Sequence, residues 1–409
     1  MAECIARQPI FDTRLRIYGY ELLYRSNEAS ASMDLNVFTP CDPDKATSSV
    51  LANSMFLFGI DKLTYGKPAF VNFSRRMLIS DVMTFLPNKD IAVEVLETVE
   101  PDALSLAACE RLKAAGYKIV LDDFVYHPQM DPLVAIADII KIDFVASSPS
   151  YCEAITKQFR RRKDLIFLAE KIETYEEYLQ AVSWGYTLFQ GFFFCKPLIL
   201  DTHDIQGNKM VYFKLLKELN DPRVGLKRLE GIIQRDISLS YKILKYINSA
   251  AFGLREKISS IQHAVAMIGS KKLTKFVTLV LLKGLGEDKP GELVATSIIR
   301  GRFAELVATA IGLHKQTGDA FIIGMFSLMD ALLDRPMNKI LSELPLNDEI
   351  SGALQRQPSK LTSILETVIA YEQGNWDKYD IYRQIINIDN ETAKKLYLEA
   401  VLWAWDIEQ

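Results

Sequence analysis

Between residue 1 and about residue 200 the chain alternates short apolar runs with amphipathic stretches. The runs are Tyr18–Tyr24, Ala69–Phe73, Ile91–Leu96, Lys118–Phe124, Ile139–Phe144, Leu165–Ala169 and Thr187–Phe194. Their length and β-like makeup predict strands. The stretches between them, such as Asp102–Ala115 and Tyr175–Trp184, carry the helical period. Gly116 and Gly185 follow directly, where glycine commonly ends a helix. Strand–helix alternation predicts a parallel sheet. The number of units favours closure into a TIM-like (β/α)8 barrel over an open, doubly wound sheet.

After Lys196-Pro197 the pattern changes. The helical period continues through Met210–Leu219, Gly225–Arg235, Leu239–Asn248, Ile258–Ile268, Leu273–Leu285, Glu292–Ile311 and Asp319–Leu332. Proline or glycine punctuates it at Pro222, Gly253, Gly269, Pro290 and Pro336. These features predict a second domain, an all-α bundle. The domain limits read from the pattern are 1–200 for the barrel, 201–208 for a linker and 209–409 for the helical domain. Phe276, Val280 and Leu285 fit either a partner groove or a core face.

Composition narrows the chemistry. The chain has 409 residues and a net charge of −4. That length suits two or three domains, and the charge supplies no basic field for nucleic acid. Five scattered cysteines, Cys4, Cys41, Cys109, Cys152 and Cys195, form no Cys-x-x-Cys pair. They argue against a disulfide framework and a zinc site, and for a reducing cytoplasm. No signal peptide and no membrane span are expected, because the most apolar run, Phe276–Leu282, is far too short to cross a bilayer.

The candidate chemistry sits where the apolar runs end. Glu21, Asn72, Glu94, Asp122, Asp123, Lys141, Asp143, Glu170, Glu173 and Gln190 occupy these positions, and Glu97 follows Glu94 closely. In a parallel barrel the strand C-termini share one face, so residues spread along the chain converge there. Glu, Asn and Asp are hard oxygen donors suited to Mg²⁺, Mn²⁺ or Ca²⁺. Two such ions suit phosphate displacement, with Glu170 accepting a proton from water and Lys141 either holding a water or balancing the carboxylates.

These residues also carry a family resemblance. Arg7-Gln8-Pro9-Ile10, Glu21-Leu22-Leu23-Tyr24-Arg25, Val71-Asn72-Phe73-Ser74 and Glu94-Val95-Leu96-Glu97 stand in order. Asp122-Asp123-Phe124, Lys141-Ile142-Asp143, Ala169-Glu170-Lys171-Ile172-Glu173 and Gln190-Gly191 to Lys196-Pro197 follow. Residues 5 to 200 resemble the EAL family of cyclic-di-GMP phosphodiesterases. The resemblance implies that Glu21, Asn72, Glu94, Asp122 and Asp123 hold Mg²⁺ or Mn²⁺. It implies that Glu170 is the general base supported by Glu173, that Lys141 and Gln190 line the site, and that Arg25 meets a phosphate of cyclic di-GMP. Glu97 corresponds to the acid that steadies the loop after Asp-Asp-Phe. That loop departs from the family's Gly-Thr-Gly-Tyr-Ser-Ser-Leu and reads Val125 to Leu133, with Pro128 and Pro132 in it. Valine and proline cannot copy the glycine backbone, and in the family the loop positions the second metal and contributes dimer contacts. A homodimer is one expected assembly.

The second half resembles HDOD domains, helical relatives of HD phosphohydrolases, through Asp236 to Leu244, Ile247 to Ala250, Phe252-Gly253 and Ile258 to Gly269. Its helices carry only His263 and His314, and Ser327-Leu328-Met329-Asp330 stands where an HD enzyme shows histidine before aspartate. A non-catalytic module that engages a protein partner is therefore expected. The whole reads as a cytoplasmic cyclic-di-GMP signalling protein whose barrel binds or slowly hydrolyses the dinucleotide. The alternative is a catalytically dead scaffold that touches no nucleotide.

Overall fold

The structure is a computed structural model. It describes residues 4–25, 60–80, 91–195, 218, 226–234, 237–248, 258, 260–285, 289–343 and 346–408. Strands β1 (Cys4–Asp12), β2 (Ile17–Arg25), β3 (Ala69–Phe73), β4 (Ile91–Val95), β5 (Lys118–Leu121), β6 (Ile139–Asp143), β7 (Ile166–Glu170) and β8 (Leu188–Gln190) close into a barrel in sequence order.

The strand pattern had not singled out β1, and it runs antiparallel to both β2 and β8. The expectation of a wholly parallel sheet is corrected at this one strand. The cause is the short link between β1 and β2: it leaves no room for a crossover helix, so the pair must form a hairpin. Asp12 holds the turn, its Oδ1 accepting from the Arg14 and Arg16 amides at 2.8 and 2.9 Å.

Around the barrel lie α1 (Ile60–Leu63), α2 (Arg75–Ile79), α3 (Ala103–Ala114), α4 (Asp131–Ile136), α5 (Pro149–Gln158) and α6 (Tyr175–Trp184). Several begin on a side-chain cap. Asp102 accepts from the Ser105 amide, Ser148 from the Tyr151 amide, and Thr174 forms a reciprocal capping box with Glu177. Gly185 ends α6 at φ 96°.

The barrel interior is layered by the two-residue period of a strand. One layer is apolar: Ile10, Phe70, Ala92, Val120, Ile139, Leu168 and Leu188 form one buried cluster. On β2 this layer holds Gly19, where a Cβ would lie 2.8 Å from the Phe70 ring and 2.7 Å from the Pro68 carbonyl. Moving two residues along each strand from this layer reaches Gln8, Glu21, Asn72, Glu94, Asp122, Lys141, Glu170 and Gln190. The apolar plug supports the polar layer from below.

Contact grouping divides the chain into two units. The barrel's unit comprises Met1–Lys196 together with Ile369–Ile381 and Ile388–Gln409. Within it the Ile5 amide donates to the hydroxyl of Tyr371 at 3.2 Å, and the rings of Tyr65 and Trp405 lie 5.0 Å apart. The pattern alone had assigned these C-terminal segments to the helical domain.

The other unit comprises Pro197–Val368 and Tyr382–Asn387. Its described helices include α7 (Leu226–Ile233), α8 (Ile237–Ile247), α9 (Ile261–Leu285), α10 (Gly291–Ala310), α11 (Thr317–Phe326), α12 (Met329–Leu333), α13 (Met337–Glu343) and α14 (Asp348–Leu354). Helix α15 (Lys360–Glu372) and helix α16 (Trp376–Ile386) each contribute to both units, and α17 (Asn390–Glu408) closes the chain. Two expected helices join in α9 across a kink at Gly269, φ 74°. Phe276 and Val280 are buried, which favours the core reading over a groove. The expected helix Met210–Leu219 lies outside the described residues except for Glu218, as does the linker.

Candidate active site

Lys141, on β6, is fully buried among carboxyl groups from four other strand ends. Its Nζ lies 3.2 Å from Glu21 Oε2, 2.8 Å from Glu94 Oε1, 2.7 Å from Asp122 Oδ1 and 2.5 Å from Glu170 Oε1. Gln190 Nε2 donates to Glu21 Oε2 at 2.7 Å and to Gln8 Oε1 at 3.0 Å. Asn72 Nδ2 donates to Glu21 Oε1 at 3.3 Å. The expected residues Glu21, Asn72, Glu94, Asp122, Lys141, Glu170 and Gln190 are thus together.

Burial and the surplus of negative charge set the proton affinities. Desolvation and the neighbouring Glu21 and Asp122 push the Glu94 carboxyl well above its usual range, against the pull of Lys141. Desolvation likewise raises Glu170 to about 8, although Lys141 opposes it; Asp122 and Glu21 add to the rise. For Glu21 desolvation also raises, but Lys141, Gln190 and Asn72 together win and hold it below the usual value. Lys141 suffers the opposite desolvation penalty, yet Glu170, Glu21, Glu94 and Asp122 keep it firmly protonated.

The donors suit a hard divalent cation. Neither oxygen of the fully buried Glu94 carboxyl makes a hydrogen bond of good geometry, and one ammonium does not balance four carboxyl groups. Glu21, Asn72, Glu94 and Asp122 bring such donors together at the strand ends. Among the described residues no group of three or more Asp, Glu, His or Cys side chains is arranged to hold a metal ion; the Lys141 ammonium stands among the carboxyl groups instead.

Asp123 is not in the cluster. The Asp122 amide donates to Val95 O and the Phe124 amide to Lys141 O, both at 3.0 Å. Held on both sides, residue 123 adopts φ 42° and sends its side chain toward Lys171, 4.0 Å away. Glu173 is exposed outside the cluster, its amide donating to Glu177. Arg25 closes β2, but its side chain lies outside the described residues. Glu97 is exposed and shares a cleft of about 270 Å³ with Asp122, Asp123, His127 and Met130.

The replaced loop has structure of its own. Pro128–Met130 forms a 3-10 turn leading into α4, and the Tyr126 amide donates to the Tyr151 hydroxyl at 2.8 Å. Sequence reasoning gave no role to two residues at the site, Gln8 and Lys171. Gln8 bonds Gln190 and pairs with Glu21 across the hairpin; its place two residues before Ile10 was the available signal. Lys171 had been noted only as part of a motif, and nothing local marks its reach toward Asp143.

Comparison with known proteins sets this chain in a family. Residues 208–333 match the HDOD domain family. The chain is 38% identical to the uncharacterized protein YuxH of Bacillus subtilis, over 98% of each chain. It is 32% identical to the cyclic di-GMP phosphodiesterase CdgJ of Vibrio cholerae, over 99% of this chain and 93% of that one. The chain belongs to the family of YuxH and CdgJ. A solved structure of the EAL enzyme Bd1971, in its cAMP and cyclic-di-GMP bound form, aligns with 48% of this chain and 62% of its own, at 21% identity and a TM-score of 0.38.

The HDOD match ends before the C-terminal segments that group with the barrel. His263 and His314 are both exposed. Arg300, almost wholly buried, donates to Ser327 Oγ at 3.1 Å. Burial raises Asp330, against nearby Arg300 and Arg356. No helix among the described residues is long and apolar enough to cross a membrane.

Proposed function

We propose that this protein acts in cyclic-di-GMP signalling, with the barrel binding the dinucleotide at the carboxylate cluster and cleaving one phosphodiester slowly. The convergence of Glu21, Glu94, Asp122 and Glu170 on Lys141 carries this reading. Full-length similarity to a protein named a cyclic di-GMP phosphodiesterase supports it.

Glu21, Asn72, Glu94 and Asp122 would hold Mg²⁺ or Mn²⁺. When bound, the ion polarises the phosphate and favours ionised water. Glu170 takes the proton of the attacking water, and its proximity to Lys141 places it at the cluster rather than in bulk solvent. Gln190 fixes Glu21 through its hydrogen bond and thereby orients the donor set. Arg25 and Glu173 are assigned to phosphate binding and to support of Glu170. Asp123, turned out of the cluster, is not placed to share an ion with it, and the reaction is expected to be slow for that reason. The helical unit engages a protein partner, its polar core around Ser327 and Asp330 serving structure.

The same outward turn favours the second reading, a scaffold indifferent to nucleotide. Purified protein incubated with cyclic di-GMP in Mg²⁺ and in Mn²⁺, with calorimetry on the same sample, separates the two. The expected result is saturable heat and linear dinucleotide, with the product lost in Glu170→Ala and the heat lost in Glu21→Ala. Neither heat nor product in either metal would leave the scaffold.

A further inference from the structure

One wall of the cluster comes from three strands, and a stack of side chains outside the barrel touches the backbone of each. Gln8 and Glu21 pair across the β1–β2 hairpin, and Asn72 stands on β3. Arg7 precedes Gln8, and its side chain takes the outer face, as strand alternation requires. It is almost wholly buried. Its guanidinium lies 4.4 Å from the ring centre of Tyr20 and 4.0 Å from that of Tyr65. Its Nη1 donates to Leu63 O, where α1 ends, at 2.6 Å. Tyr20 precedes Glu21, and its amide donates at 2.9 Å to Pro68 O, just before β3. Trp405 extends the stack, its ring 5.0 Å from that of Tyr65.

Tyr65 adopts φ 53°. A bulky residue is disfavoured there and persists only where its surroundings hold it. Arg7 and Trp405 both lie against its ring, and α17, which carries Trp405, packs on α1 and β1. On the inner face, Gln190 Nε2 is shared between Glu21 at 2.7 Å and Gln8 at 3.0 Å. A donor shared between two strands registers any slip between them.

We propose that Arg7 is a positioning residue: clamped between Tyr20 and Tyr65, it fixes β1 and β2 against each other and so sets the bonds of Gln190 to Gln8 and Glu21. Its effect on binding rests on the reading that cyclic di-GMP occupies this cluster. Its effect on Gln190 does not. Trp405 makes the C-terminal helix part of the same support.

Glutamine side chains labelled with ¹⁵N in the full-length protein report the Gln190 bonds without ligand. The Gln190 amide signal, identified by its loss in Gln190→Leu, is expected to move in Arg7→Met. It should stay close to its wild-type place in Arg7→Lys, which keeps a cation on the two rings. Leu112→Ala empties a core position under α3 and lowers stability without touching the stack, so the signal should stay there too. In calorimetry with Mn²⁺ present, Arg7→Met should bind cyclic di-GMP roughly tenfold to a hundredfold more weakly, as when support for a site residue is lost. Leu112→Ala should bind like wild type. In a Gln8→Ala background the Arg7→Met penalty should shrink, because both act through one shared bond.

Circular dichroism melts establish that each variant is folded. Should Arg7→Met fail to fold, Trp405→Leu trims the stack from its outer end and carries the same expectations. An unmoved Gln190 signal in folded Arg7→Met overturns the inference, as does an equal displacement in Leu112→Ala. A displaced signal with wild-type affinity also overturns it, since the bond would then be idle. A displaced signal in Arg7→Met alone, with no cyclic di-GMP bound by wild type, upholds the positioning role and sinks the nucleotide reading.

Discussion

Lys141 is the one cation touching Glu21, Glu94, Asp122 and Glu170 among the described residues, so its removal probes the cluster directly. Lys141→Met leaves buried carboxyl groups without a partner, which costs about 3–5 kcal/mol for a buried pair broken on one side. The expected outcome is a lower urea midpoint for the barrel in EDTA, largely restored by Mn²⁺. A variant as stable as wild type in EDTA would contradict the geometry. Glu170 makes a pH prediction with a definite sign. Its carboxyl is raised from 4.5 to about 8 by burial, so between those values the native state keeps a proton that the unfolded chain has released. Stability from this group is therefore lost as pH rises. In EDTA the melting temperature of wild type should fall relative to that of Glu170→Gln between about pH 5 and pH 9. A constant gap between the two would show that Glu170 is ionised throughout.

At the scale of elements, the strand period does the positioning. Each inward polar residue stands two positions from an inward apolar one, so the plug fixes the height of the site in the barrel. The end of β8 depends on one backbone approach. Gly191 has φ 144°, and a Cβ there would lie 2.1 Å from Ile172 O and 2.5 Å from Ile172 N. Gly191→Ala must push apart the β7–α6 loop and the strand that carries Gln190. The expectation is a loss of roughly 1–3 kcal/mol, as for other overpacked sites, and weaker nucleotide binding in calorimetry because Gln190 is displaced from Glu21. Unchanged binding would mean that the loop yields without moving Gln190. The loop from Val125 to Leu133 shows the limit of motif reading. Its departure from the family pattern was visible in the sequence, but the turn of Asp123 followed from amide bonds to β4 and β6.

At the scale of the whole molecule, the barrel's unit is discontinuous in sequence. Tyr371 is fully buried beside Cys4, with Tyr379 and Tyr397 packed on its ring. A fragment of residues 1–196 lacks these groups and exposes the strand they cover. It should melt well below the intact protein's barrel, and aggregate more readily through exposed apolar surface. Tyr371→Phe in the full chain isolates the single bond to the Ile5 amide and should cost about 1–2 kcal/mol. A fragment as stable as the full chain would show that the C-terminal segments contribute no stability to the barrel.

Local pattern was enough for the alternation of strands and helices, the glycines that end two of the helices, the helical second half and the ring of polar residues at strand ends. These follow from side-chain period and from chemistry that one stretch of chain carries by itself. Glu21, Asn72, Glu94, Asp122, Lys141, Glu170 and Gln190 were all legible for that reason. The reversal of β1, the joining of residues 369–381 and 388–409 to the barrel, the outward turn of Asp123 and the ion pair of Lys171 with Asp143 were decided by tertiary structure. The last three depend on partners far apart in sequence, the reversal of β1 follows from its short link to β2, and charge balance within a buried cluster exists only once the strands have closed around it.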